Sequence, residues 1–164
     1  MTAWPEALKG LPVCPVRGLP IPVSSGRDPG TGAGRFGVND PLAKLACGLS
    51  RTCGVCGLLL GATMVFLAVD YGADPARLVF SDPGMHEPCA AASMTLCPFI
   101  QRERVPHWAG AQPGKPGWVW LVTSSYDLVP GRGSALAAFR PAPAGTIRRF
   151  GYVAGRLAEV TGSG

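Results

Sequence analysis

The spacing of apolar residues indicates one helix in the first third of the chain. Between residues 42 and 49, four apolar side chains lie at i, i+3, i+4 and i+7, which places them on one helix face. Asp40 is suited to cap the start of this helix, and Pro41 suits its first turn. The pattern therefore predicts a short helix that begins at these two residues and has one apolar face.

After residue 57 the apolar pattern becomes typical of β-strands. Residues 64–71 are rich in β-forming side chains, and a turn separates them from a second apolar run at residues 76–80, so a hairpin is expected. Residues 118–124 form the clearest strand pattern of the chain, and residues 135–140 indicate a shorter strand. Residues 146–160 fit either a final helix or a strand pair.

Glycine and proline limit the length of all these elements. The 164 residues include 23 glycines and 17 prolines with no internal repeat, which predicts many turns and few long helices. Residues 24–37 and 101–117 are expected to be loops. The expected fold class is α+β: a β-rich, loop-rich single domain over residues 1–164, with a basic, β-rich C-terminal segment at residues 118–160.

Two residue pairs form the strongest chemical signal in the chain. Cys53 and Cys56 make a C-x-x-C motif followed by Gly57, and His86 and Cys89 make an H-x-x-C motif thirty residues later. Zinc takes four Cys or His ligands in a tetrahedron, and pairs with this spacing supply two ligands each. Glycine suits the positive φ that the exit of the first turn requires. The sequence therefore predicts one Zn2+ site with these four ligands.

The second ligand pair stands at the start of a predicted helix. Residues 89–96 are expected to form a short helix that ends before Pro98. The positive end of the helix dipole would then face the anionic thiolates of the site. This placement strengthens the zinc prediction.

The remaining cysteines and histidine have simpler interpretations. A pair of reduced core thiols is the alternative to a zinc ligand pair, since cysteine is commonly buried. A thioredoxin-type redox pair is disfavoured, because the C-x-x-C motif does not open a helix after a strand. Cys14, Cys47 and Cys97 are expected to be buried thiols, and His107 to be a surface loop residue. A second metal set from these four residues would have irregular spacing.

The order of knuckle, hairpin and helix over residues 50–100 resembles a treble-clef zinc finger. The C-C-H-C ligand order is similar to that of LIM-type half-modules. This resemblance implies a structural zinc ion and a binding role. A wider resemblance, to a group of small actinobacterial or actinophage proteins, implies the same zinc motif and no particular activity. It rests on V-N-D-P (38–41), C-G-V-C-G (53–57), M-H-E-P-C-A (85–90) and L-C-P-F-I (96–100).

The positive charge of the chain is modest and spread thinly. The formal net charge is +5 at pH 7. The arginines that could contact the phosphates of a nucleic acid or another anion are Arg140, Arg148, Arg149 and Arg156. A solvated surface is the simpler interpretation of this group. Because the charge is diffuse, a protein partner is favoured over nucleic acid.

No set of residues in the sequence predicts catalysis. With His86 assigned to the metal, His107 is the other histidine, and no nucleophile elbow accompanies the polar cluster at residues 124–127. Glu87 would be a candidate base only if zinc kept an open position, and the two ligand pairs already complete a closed site. We therefore predict a zinc-stabilised, non-catalytic binding module. A zinc-dependent hydrolase or nuclease-like enzyme with an open metal site is the alternative.

One apolar stretch raises a further alternative, a membrane-associated protein. Residues 52–69 are eighteen residues without a charge, the lower limit for a spanning helix, but their glycines and strand pattern argue against one. Residues 1–10 lack the basic and apolar regions of a secretory signal. A cytoplasmic location is therefore expected, where the six cysteines act as metal ligands or free thiols rather than as disulfides.

Overall fold

The computed structural model describes residues 4–74, 77–104, 114–142 and 145–161. These ranges combine helices with several β-sheets, as the composition predicted. The helices are a 3-10 turn at Glu6–Leu8, α1 (Pro41–Ser50), α2 (Glu87–Leu96) and α3 (Pro98–Gln101). The strands are β1 (Ser25–Arg27), β2 (Gly34–Asn39), β3 (Met64–Val69), β4 (Gly117–Thr123), β5 (Tyr126–Pro130), β6 (Ala137–Pro141), β7 (Thr146–Val153) and β8 (Arg156–Glu159).

Helix α1 begins where the sequence predicted. The Asp40 carboxylate accepts hydrogen bonds from the N–H groups of Leu42 and Ala43, both at 3.0 Å, and Pro41 occupies the first turn. The cap therefore satisfies two of the N–H groups that a helix start leaves unpaired. The start of α1 is confirmed.

The buried face of α1 differs from the predicted one. Leu42 and Leu49 are each 69% exposed, whereas Cys47 and Gly48 are buried. A side chain at Gly48 would lie 2.8 Å from atoms of Phe139, so only a glycine lets the helix approach this closely. Close backbone approach, rather than the apolar stripe, orients the helix.

Four antiparallel strands in the order β3-β4-β7-β8 form the main sheet. In β4, Trp118 and Trp120 point into a core that includes residues of α2, while Val119 and Leu121 point into a second core on the other face. Because both faces of β4 are covered, its sequence is a continuous apolar run. Both tryptophans are core residues.

The hairpin predicted within residues 64–80 is wrong. Strand β3 pairs along its whole length with β4, which is distant in sequence. On the other edge of β3, Val65 forms a bridge with Met85, and Phe80 forms its bridge with Phe139 of β6. Strand β3 is buried on both faces, and β4 offers it a long and equally apolar partner, so tertiary burial outweighs the local pairing.

The stretch 24–37 was expected to be a loop and instead forms the hairpin β1–β2. Its turn is held by Asp28, whose carboxylate accepts hydrogen bonds from the N–H groups of Gly30 and Thr31, both at 3.0 Å. The loop expectation is therefore wrong. The turn-forming residues at the centre of this stretch favoured the prediction of a loop, although two short strands lie on either side of the turn.

Part of the second predicted loop and part of the predicted hairpin after β3 lie outside the described residues. For the loop at 101–117 this applies to residues 105–113. For the predicted hairpin it applies to residue 75, the last of the turn, and to residue 76, the first of the second apolar run. The described ends of the loop are the last residue of α3 and the first residue of β4.

The C-terminal part of the chain is built from strands. Strands β7 and β8 form an antiparallel pair, which decides between the helix and the strand pair that the sequence left open. Strands β5 and β6 form a separate two-stranded sheet. The strands predicted at 118–124 and 135–140 are confirmed as β4 and β6, with their ends shifted by one or two residues.

The apolar stretch 52–69 forms a tight turn followed by β3. Over the described ranges, the chain has no helix that is both long and apolar enough to pass through a bilayer.

Substitution of Gly117 by alanine is expected to destabilise the main sheet. A Cβ at Gly117 would overlap the backbone carbonyl oxygen of Phe150 in the paired strand β7. We expect Gly117→Ala to lower the free energy of unfolding by more than about 2 kcal/mol in urea titrations. Gly61→Ala is the matched control, because a Cβ there meets nothing within 4 Å. Equal stabilities of the two variants would contradict the register of β4 and β7.

Candidate metal centre

The first ligand pair lies on a tight turn, or knuckle, at residues 53–58. The Cys53 N–H donates to the Leu58 carbonyl at 2.8 Å, and the Gly57 N–H donates to the Cys53 carbonyl at 2.9 Å. Gly57 has φ +78°, the left-handed conformation that the sequence predicted for it. These bonds point both cysteine side chains of the turn toward the same side as the second pair.

The second ligand pair lies at the start of α2. His86 is the residue that precedes the helix, and Cys89 is in its first turn. Met85 exchanges two backbone hydrogen bonds with Val65 of β3, at 2.8 and 2.9 Å, which fixes the entry into the helix. The predicted helix over 89–96 is confirmed and begins two residues earlier.

The four predicted ligands come together in one cluster. The Sγ atoms of Cys53, Cys56 and Cys89 and a ring nitrogen of His86 all lie within 4.8 Å of one another. Cys56 Sγ lies 3.4 Å from His86 Nδ1. In a zinc tetrahedron the corresponding S–N edge is about 3.6 Å and an S–S edge about 3.8 Å. The cluster could hold one metal ion after a slight contraction.

The His86 ring is oriented by a backbone contact. Its Nε2 lies 2.9 Å from the Leu59 carbonyl oxygen, which accepts a hydrogen bond from Nε2–H. This bond leaves Nδ1 unprotonated in the neutral ring, and Nδ1 is the atom that faces Cys56. Ligating histidines are oriented in this way by an acceptor on their second nitrogen. The contact with Leu59 was not predicted, and no sequence signal marks it.

Cys53 is the thiol that the site favours as a thiolate. Its sulfur accepts a hydrogen bond from the Cys89 thiol and faces the backbone N–H groups of Cys56, His86 and Val55, and these contacts lower the pKa of Cys53 to about 4 despite its burial. The same thiol–thiolate bond raises the pKa of Cys89. Burial raises the pKa of Cys56. The site thus stabilises negative charge on a buried sulfur, as a cation ligand requires.

The knuckle is tied to two other parts of the chain. The Gly54 N–H donates to the Gly84 carbonyl at 3.1 Å, next to the second ligand pair. Val23 donates to Val55 at 3.0 Å, which connects the knuckle to the segment that precedes β1. Apolar periodicity carries no signal for these contacts, since they join irregular segments.

The other cysteines lie outside the cluster. Cys47 is buried, and burial raises the pKa of its thiol. Cys14 and Cys97 are half-buried. His107 lies outside the described residues. In the described part of the chain, no second group of three or more Cys, His, Asp or Glu side chains is close enough to hold a metal.

Two of the four arginines predicted to contact anions form ion pairs within the chain. Arg148 donates to the Glu159 carboxylate at 2.8 and 2.7 Å, and Arg149 pairs with Asp70. These two arginines are neighbours on β7, so they point to opposite faces of the sheet. Arg140 lies on the separate sheet β5–β6, and Arg156 begins β8. Anion binding by these residues stays a prediction.

Comparison with known proteins finds no match: no family model fits the chain, and no curated protein and no solved structure matches it significantly. The resemblances to treble-clef fingers and to small actinobacterial proteins therefore stay predictions. The geometry of the four-residue cluster is the observation that bears on function.

Removal of one ligand is expected to prevent metal binding. Cys56→Ser leaves three of the four donors, and we expect its metal content after dialysis to fall from about one ion per chain to well below half. Elemental analysis of the purified protein measures this. Cys14→Ser is the control, because Cys14 lies outside the cluster and should keep its metal. Equal metal contents of the two variants would contradict the assignment.

The ion pair between Asp70 and Arg149 is expected to make stability depend on pH. Burial raises the pKa of Asp70, but hydrogen bonds from Arg149 and from the Gly72 N–H outweigh it, so the pKa is lowered on folding. The stabilisation is then fully present above the ordinary aspartate pKa near 4 and is lost as the pH falls through the lower folded value.

Asp70→Asn should accordingly lower the free energy of unfolding by about 1–2 kcal/mol at pH 7 and by much less at pH 3. Denaturant titrations at both pH values measure the difference. Asp127→Asn, at an exposed position of β5, is the matched control. A loss for Asp70→Asn that is the same at both pH values would rule out the carboxylate as its source.

Proposed function

We propose that the protein is a zinc-stabilised, non-catalytic interaction module whose partner is another protein. Cys53, Cys56, His86 and Cys89 would hold one Zn2+. The observation that carries the proposal is the convergence of these four ligand atoms within 4.8 Å of one another. Three thiolates and one imidazole are a common donor set for structural zinc.

The completeness of the donor set supports a structural role for the metal. A catalytic zinc ion has three protein ligands and keeps its fourth position for water or substrate. Here the fourth position belongs to a side chain, and His86 is oriented into it by the Leu59 carbonyl. A hydrolase or nuclease with an open site is therefore disfavoured.

The position of the cluster supports the same role. It lies where the knuckle meets the start of α2, and two cysteines of the cluster, Cys53 and Cys89, are fully buried within the core that α2 shares with the main sheet. A metal bound there would connect segments thirty residues apart. The order of knuckle, strand β3 and ligand-bearing helix is treble-clef-like, although the strand does not return as a local hairpin.

A protein partner is favoured because the basic C-terminal residues do not form a free patch. Arg148 forms an ion pair with Glu159, and Arg149 forms one with Asp70. Nucleic-acid binding depends on several unpaired cations along one surface. We propose a reducing compartment, the cytoplasm, since the ligands must remain free thiols to bind zinc.

Chelation is expected to unfold the protein without revealing a catalytic activity. The purified chain should contain about one zinc ion, and excess EDTA should abolish its cooperative thermal transition, because binding energy of a structural zinc is folding energy. Circular dichroism with elemental analysis measures both. Cys14→Ser should behave as the wild type. A metal-free protein that unfolds cooperatively at the same temperature with and without EDTA would overturn the proposal.

A further inference from the structure

Strand β2 of the hairpin β1–β2 has an open edge. Strand β2 pairs with β1 on one side, and no described strand or isolated bridge pairs with its other side. Four of the six residues of β2 are exposed. Its register with β1 shifts between the pairs Arg27–Gly34 and Ser25–Asn39, and Gly37 has φ +80°, so the open edge is regular only before Gly37. The unpaired N–H and C=O groups of such an edge can form a β-ladder with an extended peptide.

Two exposed arginines flank this edge, Arg17 and Arg35, and a third, Arg27, lies on the paired strand β1. None of them takes part in the ion pairs of the described residues. The guanidinium of Arg17 lies over the ring of Phe36, 5.6 Å from its centre. Arg35 neighbours Phe36 on β2 and therefore points to the opposite face. Positive charge thus flanks the open strand on both faces.

The hairpin β1–β2 contains one acidic residue, Asp28. Asp28 Oδ1 accepts hydrogen bonds from the N–H groups of Gly30 and Thr31 and from the Thr31 hydroxyl, at 3.0, 3.0 and 3.1 Å. Its carboxylate therefore holds the turn between the strands. Arg35 attracts this carboxylate electrostatically, whereas Arg17 forms none of the ion pairs of the described residues.

The hairpin is joined to the candidate metal centre. Val23 and Ser24, directly before β1, donate backbone hydrogen bonds to the carbonyls of Val55 and Gly54 in the knuckle, at 3.0 and 3.1 Å. A metal that orders the knuckle would therefore also position the hairpin. The open edge is in this way part of the module that the cluster supports.

We propose that the open edge of β2 binds an acidic segment of a partner protein as an added β-strand. The inference rests on the proposed function as a protein-binding module. Successive side chains of a strand point to opposite faces, so two adjacent acidic residues of the ligand would meet Arg17 and Arg35 on the two faces of the sheet. Backbone pairing supplies affinity, and the two arginines select the acidic pair.

The same charges disfavour other occupants of the edge. Pairing of two β2 strands from two copies of the chain would bring like-charged arginines together, which is destabilising. Single-stranded nucleic acid stacks successive bases on several aromatic rings. On β2 the aromatic ring is Phe36 alone, and Arg17 already lies over it.

Fluorescence anisotropy with the full-length, zinc-loaded protein tests the proposal. The probe is a labelled peptide of valine and threonine with an adjacent Glu-Glu pair at its centre. We expect saturable binding that weakens at least tenfold with a Gln-Gln peptide. The same loss is expected with an acidic peptide N-methylated along one edge, because this blocks ladder formation. The variant Arg17→Gln/Arg35→Gln should lose at least tenfold affinity. The matched control Arg104→Gln/Arg132→Gln, at exposed positions outside the hairpin, should not.

Three results would overturn the inference. They are no saturable peptide binding, equal losses in the two double variants, and tighter binding of labelled oligothymidylate than of the acidic peptide. Metal content and circular dichroism are measured on the same samples. A fully loaded, folded protein that fails to bind the peptide therefore contradicts the docking edge alone, whereas a failure to bind zinc contradicts the proposed function.

Discussion

Three sulfurs and one imidazole nitrogen converge at the junction of the knuckle and α2. Without a cation, three neighbouring thiols cannot all ionise, because each thiolate disfavours the next. Among the three thiols, Cys53 is the one favoured as a thiolate, and the pKa values of Cys56 and Cys89 are raised. A divalent cation would remove this conflict and couple metal binding to proton release and to folding.

Several parts of the chain meet at this junction. Helix α2 begins at the cluster and covers the face of the main sheet that carries Trp118 and Trp120. The knuckle also receives the backbone hydrogen bonds of the segment before β1. The proposed zinc ion would thus hold the sheet, the helix and the hairpin in one arrangement. The open edge of β2 is the surface that we propose for partner binding.

The two candidate ligand pairs and the capped start of α1 were predictable, because each pair and the cap consist of residues close in sequence. Asp40, Pro41 and Gly57 act within one turn of the backbone. Strand pairing was not predictable, since β3 pairs with β4 across about fifty residues, where burial outweighs local turn signals. The orientation of α1 followed from the close approach at Gly48, which apolar spacing does not encode.

The orientation of the ligand side chains could not be predicted from the sequence either. The Leu59 carbonyl selects the nitrogen of His86 that faces the site, and a backbone carbonyl has no residue-type signature. The arginines form a second example. Arg148 and Arg149 are neighbours on a strand, so their side chains point to opposite faces of the sheet. Each pairs with a different carboxylate, and the two arginines therefore do not form one basic surface.

X-ray absorption spectroscopy at the zinc edge, on the full-length protein loaded with one equivalent of zinc, tests the central claim most directly. The four-residue cluster predicts three sulfur neighbours at about 2.3 Å and one nitrogen neighbour at about 2.0 Å, with multiple scattering from a single imidazole. A first shell that contains oxygen, or fewer than three sulfurs, would contradict the closed site.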